Sequence, residues 1–325
     1  MYKSKLDLIN TEIAIKLIKD QFEHSIANKL HLLRVSAPLF VEKNTGINDQ
    51  LNGIEEAVSF GKDDVELEIV QSLAKWKRVA LYRYGIQVGH GIYTDMNAIR
   101  KDEVLSPIHS LYVDQWDWEL VIHKQDRTET TLRNTILTIY EALKEVDQIV
   151  YQTYPELEKK LPDRLAFISS YELEKQYPND SQKVRENKIA KKHGAVFITE
   201  IGDISPSGER YDSRSPDYDD WKLNGDLIVW NETLNDALEL SSMGIRVDDK
   251  SLVEQLNKTN QQERLTLYYH QMVLNNELPF TIGGGIGQSR MCMFFLEKKH
   301  IGEVQSSYWT KDIIEMCKKE NIFLL

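Results

Sequence analysis

The stretch Gly283-Gly284-Gly285-Ile286-Gly287-Gln288-Ser289-Arg290 decides how this chain is read. It follows a strand-like stretch near Phe280 and opens an amphipathic pattern, Gln288 to Lys298, that predicts a helix. Glycines there permit close backbone approach and unusual φ, and a helix N-terminus presents unpaired N–H groups to an anion. The run is no dinucleotide fingerprint. From Gly285 the spacing is Gly-x-Gly-x-x-Arg, with Arg290 where a third glycine would stand, and no Lys-Ser/Thr of a P-loop follows. The glycines alone read equally well as a tight turn before a helix. Arg290 tips the balance, because a cation in the first helical turn sits at the positive end of the helix dipole and a phosphate partner would explain it there.

On the N-terminal side, Ile15, Ile18, Phe22, Ile26 and Leu30 form one apolar stripe on a long first helix opened by Asn10 and Thr11. Leu33 to Ala37 reads as a short strand stopped by Pro38, as suits an edge or a strand end. Further strands are expected at Glu66 to Val70, Ile92 to Thr94 and about Ile108 to Val121, with a helix from Ser72 to Tyr84 ended by Gly85. In the Ile108 to Val121 stretch, Gln115, Asp117 and Glu119 share one face and Trp116 and Trp118 the other. Acids opposite tryptophans suit a sheet whose polar side lines a cleft. Helices are predicted over Thr128 to Glu158, Ser181 to Lys192 and Glu263 to Leu274, and strands at Leu165 to Ile168, Ala195 to Ile201 and Leu227 to Trp230. Gly202 to Trp221 is a long loop rich in Gly, Ser, Pro and Asp, of a length that favours a functional role. Strands often adjoin without an intervening helix, so the expected class is α+β around a mainly antiparallel sheet. No linker divides the chain, and residues 1–325 are expected to form a single catalytic domain.

Fifty-one acids against forty bases give a formal charge of -11, which disfavours a nucleic-acid-gripping surface. Cys292 and Cys317 are too few for a disulfide framework and lie in no metal-ligand pattern, which fits a reducing compartment. The eight histidines show no zinc spacing. The start carries no apolar run resembling a secretory signal, and the strongly apolar stretch Met291 to Leu296 is too short to span a bilayer, so a cytoplasmic protein without membrane partners is expected.

The 283–290 run resembles motif 3 of class II aminoacyl-tRNA synthetases, whose arginine contacts ATP. Arg100-Lys101-Asp102-Glu103 resembles their motif 2 loop, and the helix 11–30 followed by Arg34-Val35-Ser36-Ala37-Pro38 resembles motif 1, which builds a dimer interface. Asp226-Leu227-Ile228-Val229-Trp230-Asn231 and Glu239-Leu240-Ser241-Ser242-Met243-Gly244-Ile245-Arg246 resemble the segment before motif 3 in the aspartyl and asparaginyl branch. More closely, Ser72-Leu73-Ala74-Lys75-Trp76-Lys77-Arg78, Tyr112 to Trp118, Pro216 to Trp221 and Glu239 to Arg246 resemble the ammonia-dependent asparagine synthetase family over nearly the whole chain. The chain departs from some members in a short connection between Trp221 and Asn224. Motif 1 begins almost at Met1, so an anticodon-binding domain before it is not expected.

The resemblance implies an AMP-forming ligase that takes L-aspartate, ammonia and ATP with Mg²⁺, works as a homodimer and passes through a β-aspartyl adenylate. It implies that Arg100 holds the α-phosphate, Glu103 the adenine amino group and Arg290 the outer phosphates, with Ser241, Ser242, Gly287 and Glu239 at the nucleotide and Asp226 and Glu239 at magnesium. Lys77 and Arg246 would contact a substrate carboxylate. Gln115, Asp117 and Asp219 would recognise the amino-acid head group, with Ser72 and Ser110 beside them. Asp49, in Gly46-Ile47-Asn48-Asp49-Gln50-Leu51-Asn52-Gly53, would guide ammonia and accept its proton. Each residue taken singly has an ordinary alternative: a solvated helix lysine for Lys77, strand-face or structural ion pairs for Asp117 and Arg246, solvated carboxylates for Asp226 and Glu239, an Asx-turn for Asp49. The rival functions are an adenylating ligase that passes an amino acid to tRNA or protein, and an amino-acid-binding regulatory subunit without catalysis.

Overall fold

The computed structural model describes residues 2–325 apart from 52–54, 206, 209 and 213. Asn52 and Gly53 of the Asp49 segment therefore lie outside the described residues. In chain order the elements are α1 (Leu8–Lys29), β1 (Leu32–Arg34), β2 (Phe40–Glu42), β3 (Ser59–Lys62), β4 (Val65–Ile69), α2 (Ala74–Tyr84), β5 (Gly91–Ile99), β6 (Tyr112–Val121) and α3 (Glu129–Thr153). There follow β7 (Ala166–Ser169), α4 (Ser170–Gln176), α5 (Gln182–His193), β8 (Ala195–Thr199), β9 (Asp219–Asn231), β10 (Asp236–Arg246), α6 (Asp249–Lys258), α7 (Tyr268–Leu274), β11 (Thr281–Gly287), α8 (Gln288–Phe295) and α9 (Lys311–Glu320).

The eight-stranded sheet runs β1-β5-β6-β11-β10-β9-β8-β7. Its interior pairings are antiparallel, and only the edge pairs β1 with β5 and β7 with β8 are parallel. The sheet is mainly antiparallel, as the sequence predicts, and Leu32–Arg34 sits at its edge. A separate small sheet, β2-β4-β3, stands beside it.

The period-two alternation sorts the faces of β6. Trp116 and Trp118 turn into the main core with Ile18, Phe22 and Ile26 of α1 and Ile136, Ile139, Tyr140 and Leu143 of α3. Phe22 stacks tilted on Trp116 with ring centroids 4.9 Å apart. Full burial of a phenylalanine such as Phe22 contributes about 1.5–3 kcal/mol, so this face is the one the fold cannot expose. The polar face of β6 is left for the cleft.

Element ends show where local chemistry outranks periodicity. α1 begins ahead of Asn10 because the Asp7 carboxylate accepts the Asn10 N–H at 2.8 Å and caps the helix there. α2 stops where Gly85 takes φ 63°, a left-handed conformation cheap only for glycine. α3 ends at Thr153, short of the predicted Glu158, because Pro155 disfavours a helical Tyr154. The predicted helix over Glu263 to Leu274 divides into a 3₁₀ turn, Gln262–Thr266, and α7. Gly283 to Gly287 form the end of strand β11 itself rather than a turn after a strand.

Candidate active site

A cavity of about 480 Å³ opens over the polar face of the central strands. Into it β6 sends Gln115 and Asp117, β9 sends Asp219 and Asp226, and β10 sends Glu239, Ser242 and Arg246. The connection from β5 to β6 adds Arg100, Glu103 and Ser110, while Gly287 and Arg290 close one end and Asp49 and Ser72 another. Lys77 and Ser241 are absent from the wall. Ser241 Oγ donates to the Gly285 carbonyl at 3.0 Å, so it ties β10 to β11.

Backbone irregularities put these acids together. Strict alternation would turn Glu239 and Ser242, an odd number of residues apart, to opposite faces; a bulge between Glu239 and Ser241 restores both to the cavity side. Farther along, Gly244 faces Asn224 and Arg246 faces Asp219, so β9 advances five residues while β10 advances two. That slip brings Asp219 to the same wall as Asp226.

The β11 glycines serve neighbouring side chains. A Cβ on Gly283 would overlap the Glu119 carboxylate, and one on Gly285 would overlap Gln115 Oε1. Gly285→Ala is therefore expected to push Gln115 off its place and to weaken the binding of whatever ligand Gln115 contacts in the cavity by about tenfold, about 1.4 kcal/mol, with a far smaller change in thermal stability. Steady-state kinetics beside a melting curve check this.

Charge is tightly paired on the floor of the cavity. Arg246 donates from Nε and Nη2 to Glu119 at 2.9 and 2.7 Å and from Nη1 to Asp219, while Thr281 Oγ1 donates to Glu119 at 2.7 Å. Burial alone would raise the Glu119 carboxyl, but Arg246, joined by Lys77 and Thr281, outweighs it and holds it below its usual range. Lys77 is wholly buried, donating to Asp117 and to the carbonyls of Trp118 and Gly284 at 3.0 Å each. Burial pushes its ammonium down from the usual lysine value, against the opposing pull of Asp117. Lys77 thus meets the cavity through Asp117, whose Oδ2 is buried with no partner.

Arg214, which sequence reasoning missed, lies inside the Gly202 to Trp221 loop and on the cavity wall. Its Nη1 donates to Asp219 Oδ2 at 3.1 Å and Ser242 Oγ at 2.7 Å, and its Nη2 to Asp226 Oδ1. Burial, countered by Arg214 and reinforced by Glu239, raises the Asp226 carboxyl to about 6. His109 was also missed; burial lowers its imidazole to about 4, so it lines the cavity as a neutral group at pH 7.

Asp49 is buried, with Oδ1 accepting the Leu51 N–H at 3.1 Å and Oδ2 without a hydrogen-bond partner. Burial raises its carboxyl, and Lys75 is the strongest force against that. Arg100 Nε is likewise buried and unpartnered. The first turn of α8 is not open to an anion at Ser289, because Asp114 accepts its N–H at 3.1 Å and its Oγ at 2.8 Å. Arg290 leaves that helix to donate to the Glu239 carbonyl at 3.2 Å. Among the described residues no group of three or more His, Cys, Asp or Glu is arranged to hold a metal.

The fold is that of class II aminoacyl-tRNA synthetases. An Entamoeba histolytica asparaginyl-tRNA synthetase with asparaginyl-adenylate aligns at TM-score 0.65 and 13% identity, covering 92% of this chain and 66% of that one. The Pyrococcus horikoshii asparaginyl-tRNA synthetase with asparaginyl-adenylate aligns at TM-score 0.64 and 12% identity, covering 91% of this chain and 68% of that one. At such identities the likeness shows the fold.

The family itself is set by sequence. The aspartate-ammonia ligase family model matches residues 9–321. A Fusobacterium nucleatum protein named aspartate–ammonia ligase is 57% identical over 325 residues, covering 100% of this chain and 99% of the relative. A Bacillus cereus protein of the same name is 55% identical over 326 residues, covering 100% of both. The chain belongs to the aspartate–ammonia ligase family.

Proposed function

We propose that the cavity converts L-aspartate and ammonia to L-asparagine through a β-aspartyl adenylate, with ATP cleaved to AMP and pyrophosphate. The observation that carries the reading is one cavity holding Arg100, with a buried unpartnered Nε, and Asp49, with a buried unpartnered carboxylate oxygen. One suits a phosphoryl oxygen and the other an ammonium ion.

A carboxylate does not exchange oxygen for nitrogen directly, since oxide is a poor leaving group. An oxygen of the aspartate β-carboxylate attacks the α-phosphorus and pyrophosphate departs. Ammonia then attacks the acyl carbon, AMP leaves with that oxygen, and asparagine remains. Positioning and charge stabilisation are the protein's contribution. Arg100 stabilises the α-phosphate, Glu103 meets the adenine, and Arg290 holds the outer phosphates with Ser242 and Gly287 nearby. Ser241 supports this region from the β10–β11 seam. Gln115, Asp117 and Asp219 take the amino-acid head group beside Ser72 and Ser110. Arg246 faces the substrate carboxylate while steadying Asp219, and Lys77 steadies Asp117. Asp49 takes the proton that ammonium must lose before it attacks.

Asp226 and Glu239 fit magnesium, which takes one or two protein carboxylates and completes its shell with water and phosphate oxygens. Burial chiefly raises the Asp226 carboxyl and Glu239 adds to it against the pull of Arg214, a cost of negative charge that a dication would relieve. Bound there, magnesium would neutralise triphosphate charge.

Free ammonia is the nitrogen donor in this reading, because Cys292 and Cys317 are buried away from the cavity and burial lifts the Cys292 thiol to about 12. No described helix is long and apolar enough to cross a membrane. A cytoplasmic homodimer formed through α1 and β1 completes the proposal. Exposed Ile9, Ile13 and Leu33 supply apolar surface there, and a stable active monomer in light scattering would remove that part.

Product analysis with ATP, magnesium, aspartate and ammonium tests the whole. Equal, ammonia-dependent yields of asparagine, AMP and pyrophosphate are expected, with glutamine and tRNA unable to replace ammonia. Pyrophosphate release that waits on tRNA or a protein acceptor would transfer the adenylating core to another acceptor.

A further inference from the structure

Beneath the Asp49 loop lies a buried cluster that the steps above do not use. Asp217 Oδ2 accepts from Lys75 Nζ at 2.9 Å and Arg264 Nη1 at 3.2 Å, and lies 3.0 Å from His270 Nε2. Ser215 Oγ donates to Asp217 Oδ1 at 2.9 Å. The three partners on Oδ2 come from separate elements: Lys75 from α2, Arg264 from the 3₁₀ turn, His270 from α7.

Two of these elements, the 3₁₀ turn and α7, also grip residues 45–51. Arg264 Nη2 donates to Gln50 Oε1 at 2.6 Å, and the Tyr269 N–H donates to the Thr45 carbonyl at 3.0 Å. Gly46, at φ +73°, abuts His270 so closely that a Cβ would come within 2.9 Å of Nδ1. Asn48 Oδ1 accepts the Asp49 and Gln71 N–H groups at 3.0 and 2.9 Å, and Gln71 Nε2 donates to the Asp49 carbonyl at 3.3 Å. Asp49 is held through its backbone N–H, its carbonyl and Oδ1, while its Oδ2 has no hydrogen-bond partner.

From this geometry we infer that Lys75, Asp217 and Arg264 are a positioning unit for Asp49: Arg264 and Asp217 fix the loop, and Lys75 supplies the positive charge that keeps the Asp49 carboxylate ready to take the ammonium proton. The inference rests on the proton-accepting reading of Asp49. The charged and titratable groups facing Asp49 are Lys75 from α2, Arg100 from the β5–β6 connection, and Asp217 and Tyr218 from the loop before β9. Burial works against the ionised form and Asp217 adds to that, whereas Lys75 is the largest favourable influence and Arg100 the next.

Lys75→Met removes the lysine charge and leaves the buried Asp217 carboxylate its Arg264, His270 and Ser215 partners. Aspartate-dependent ATP–pyrophosphate exchange should stay within about threefold of the parent, while the acid limb of asparagine formation moves up by about one pH unit, tenfold in the ionised fraction. The sign follows from Lys75 favouring the charged form: without it Asp49 keeps its proton to higher pH. Lys75→Arg should restore the parent pH profile. Arg264→Lys, which keeps charge but gives up the Gln50 contact, should raise the ammonium KM with the acid limb in place, and it decides the matter if Lys75→Met does not fold. An unmoved acid limb in folded Lys75→Met, or an unchanged ammonium KM in Arg264→Lys, overturns the inference, provided Asp49→Asn has lost the amide step. If Asp49→Asn makes asparagine normally, the reading of Asp49 falls and this inference with it.

Discussion

Leucine in place of Arg100 should lower aspartate-dependent ATP–pyrophosphate exchange by about 10²–10³-fold, the loss typical when one preorganised donor to developing charge is removed. Arg100 projects from the start of the β5–β6 connection, where its N–H donates to the Leu111 carbonyl at 2.9 Å and its carbonyl accepts the Glu103 N–H at 3.2 Å. The turn that fixes the guanidinium therefore also fixes Glu103. The buried, unpartnered Nε means that the native fold gains no hydrogen bond there, so leucine should leave the melting temperature nearly unchanged. Arg100→Lys should recover little, since a lysine offers a point charge where a planar fork spans two acceptor oxygens. A full exchange rate in Arg100→Leu would remove this residue from the adenylation step.

Asp49→Asn should separate the half-reactions: exchange close to the parent rate, and asparagine formation down by about 10²–10⁴-fold, the range for loss of a positioned general base. Asparagine keeps the shape and still accepts the Leu51 N–H, but cannot take a proton from ammonium. The substitution also has a stability signature. The folded Asp49 carboxyl is raised by burial above its ordinary value of 3.8, so its ionised form destabilises the fold at neutral pH. The variant should melt higher than the parent near pH 7, and the gap should close as pH falls below that ordinary value and both folded and unfolded carboxyls are protonated. Equal losses in both half-reactions would contradict the assignment.

Much of the fold was legible because short-range periodicity and tertiary packing agree. The stripe Ile18, Phe22, Ile26 does face the core, and the alternation from Gln115 to Glu119 does divide a cavity face from a tryptophan face. Strand β10 was not read as a strand, although the resemblance drew attention to its residues; its bulge breaks the alternation that would announce it. The same parity break hides the meeting of Glu239, Ser242 and Asp226. Arg214 carried no local signal inside a polar loop, and its role depends on partners supplied by β9 and β10. Nor could spacing show that Lys77 is buried under Asp117, since that requires the α2–β6–β11 packing. The Asp217 cluster joins positions from Lys75 to His270, and such long-range ion pairs leave no trace in a one-dimensional pattern.

The central claim is that the β-carboxylate of aspartate is joined to the α-phosphate before nitrogen arrives. Aspartate labelled with ¹⁸O in both β-carboxylate oxygens, turned over with ATP, magnesium and ammonium, tests it by mass spectrometry of the products. The account predicts one ¹⁸O in the phosphate of AMP and one retained in the asparagine amide, with none in pyrophosphate. Label in inorganic phosphate alongside ADP, or AMP without label, would contradict it.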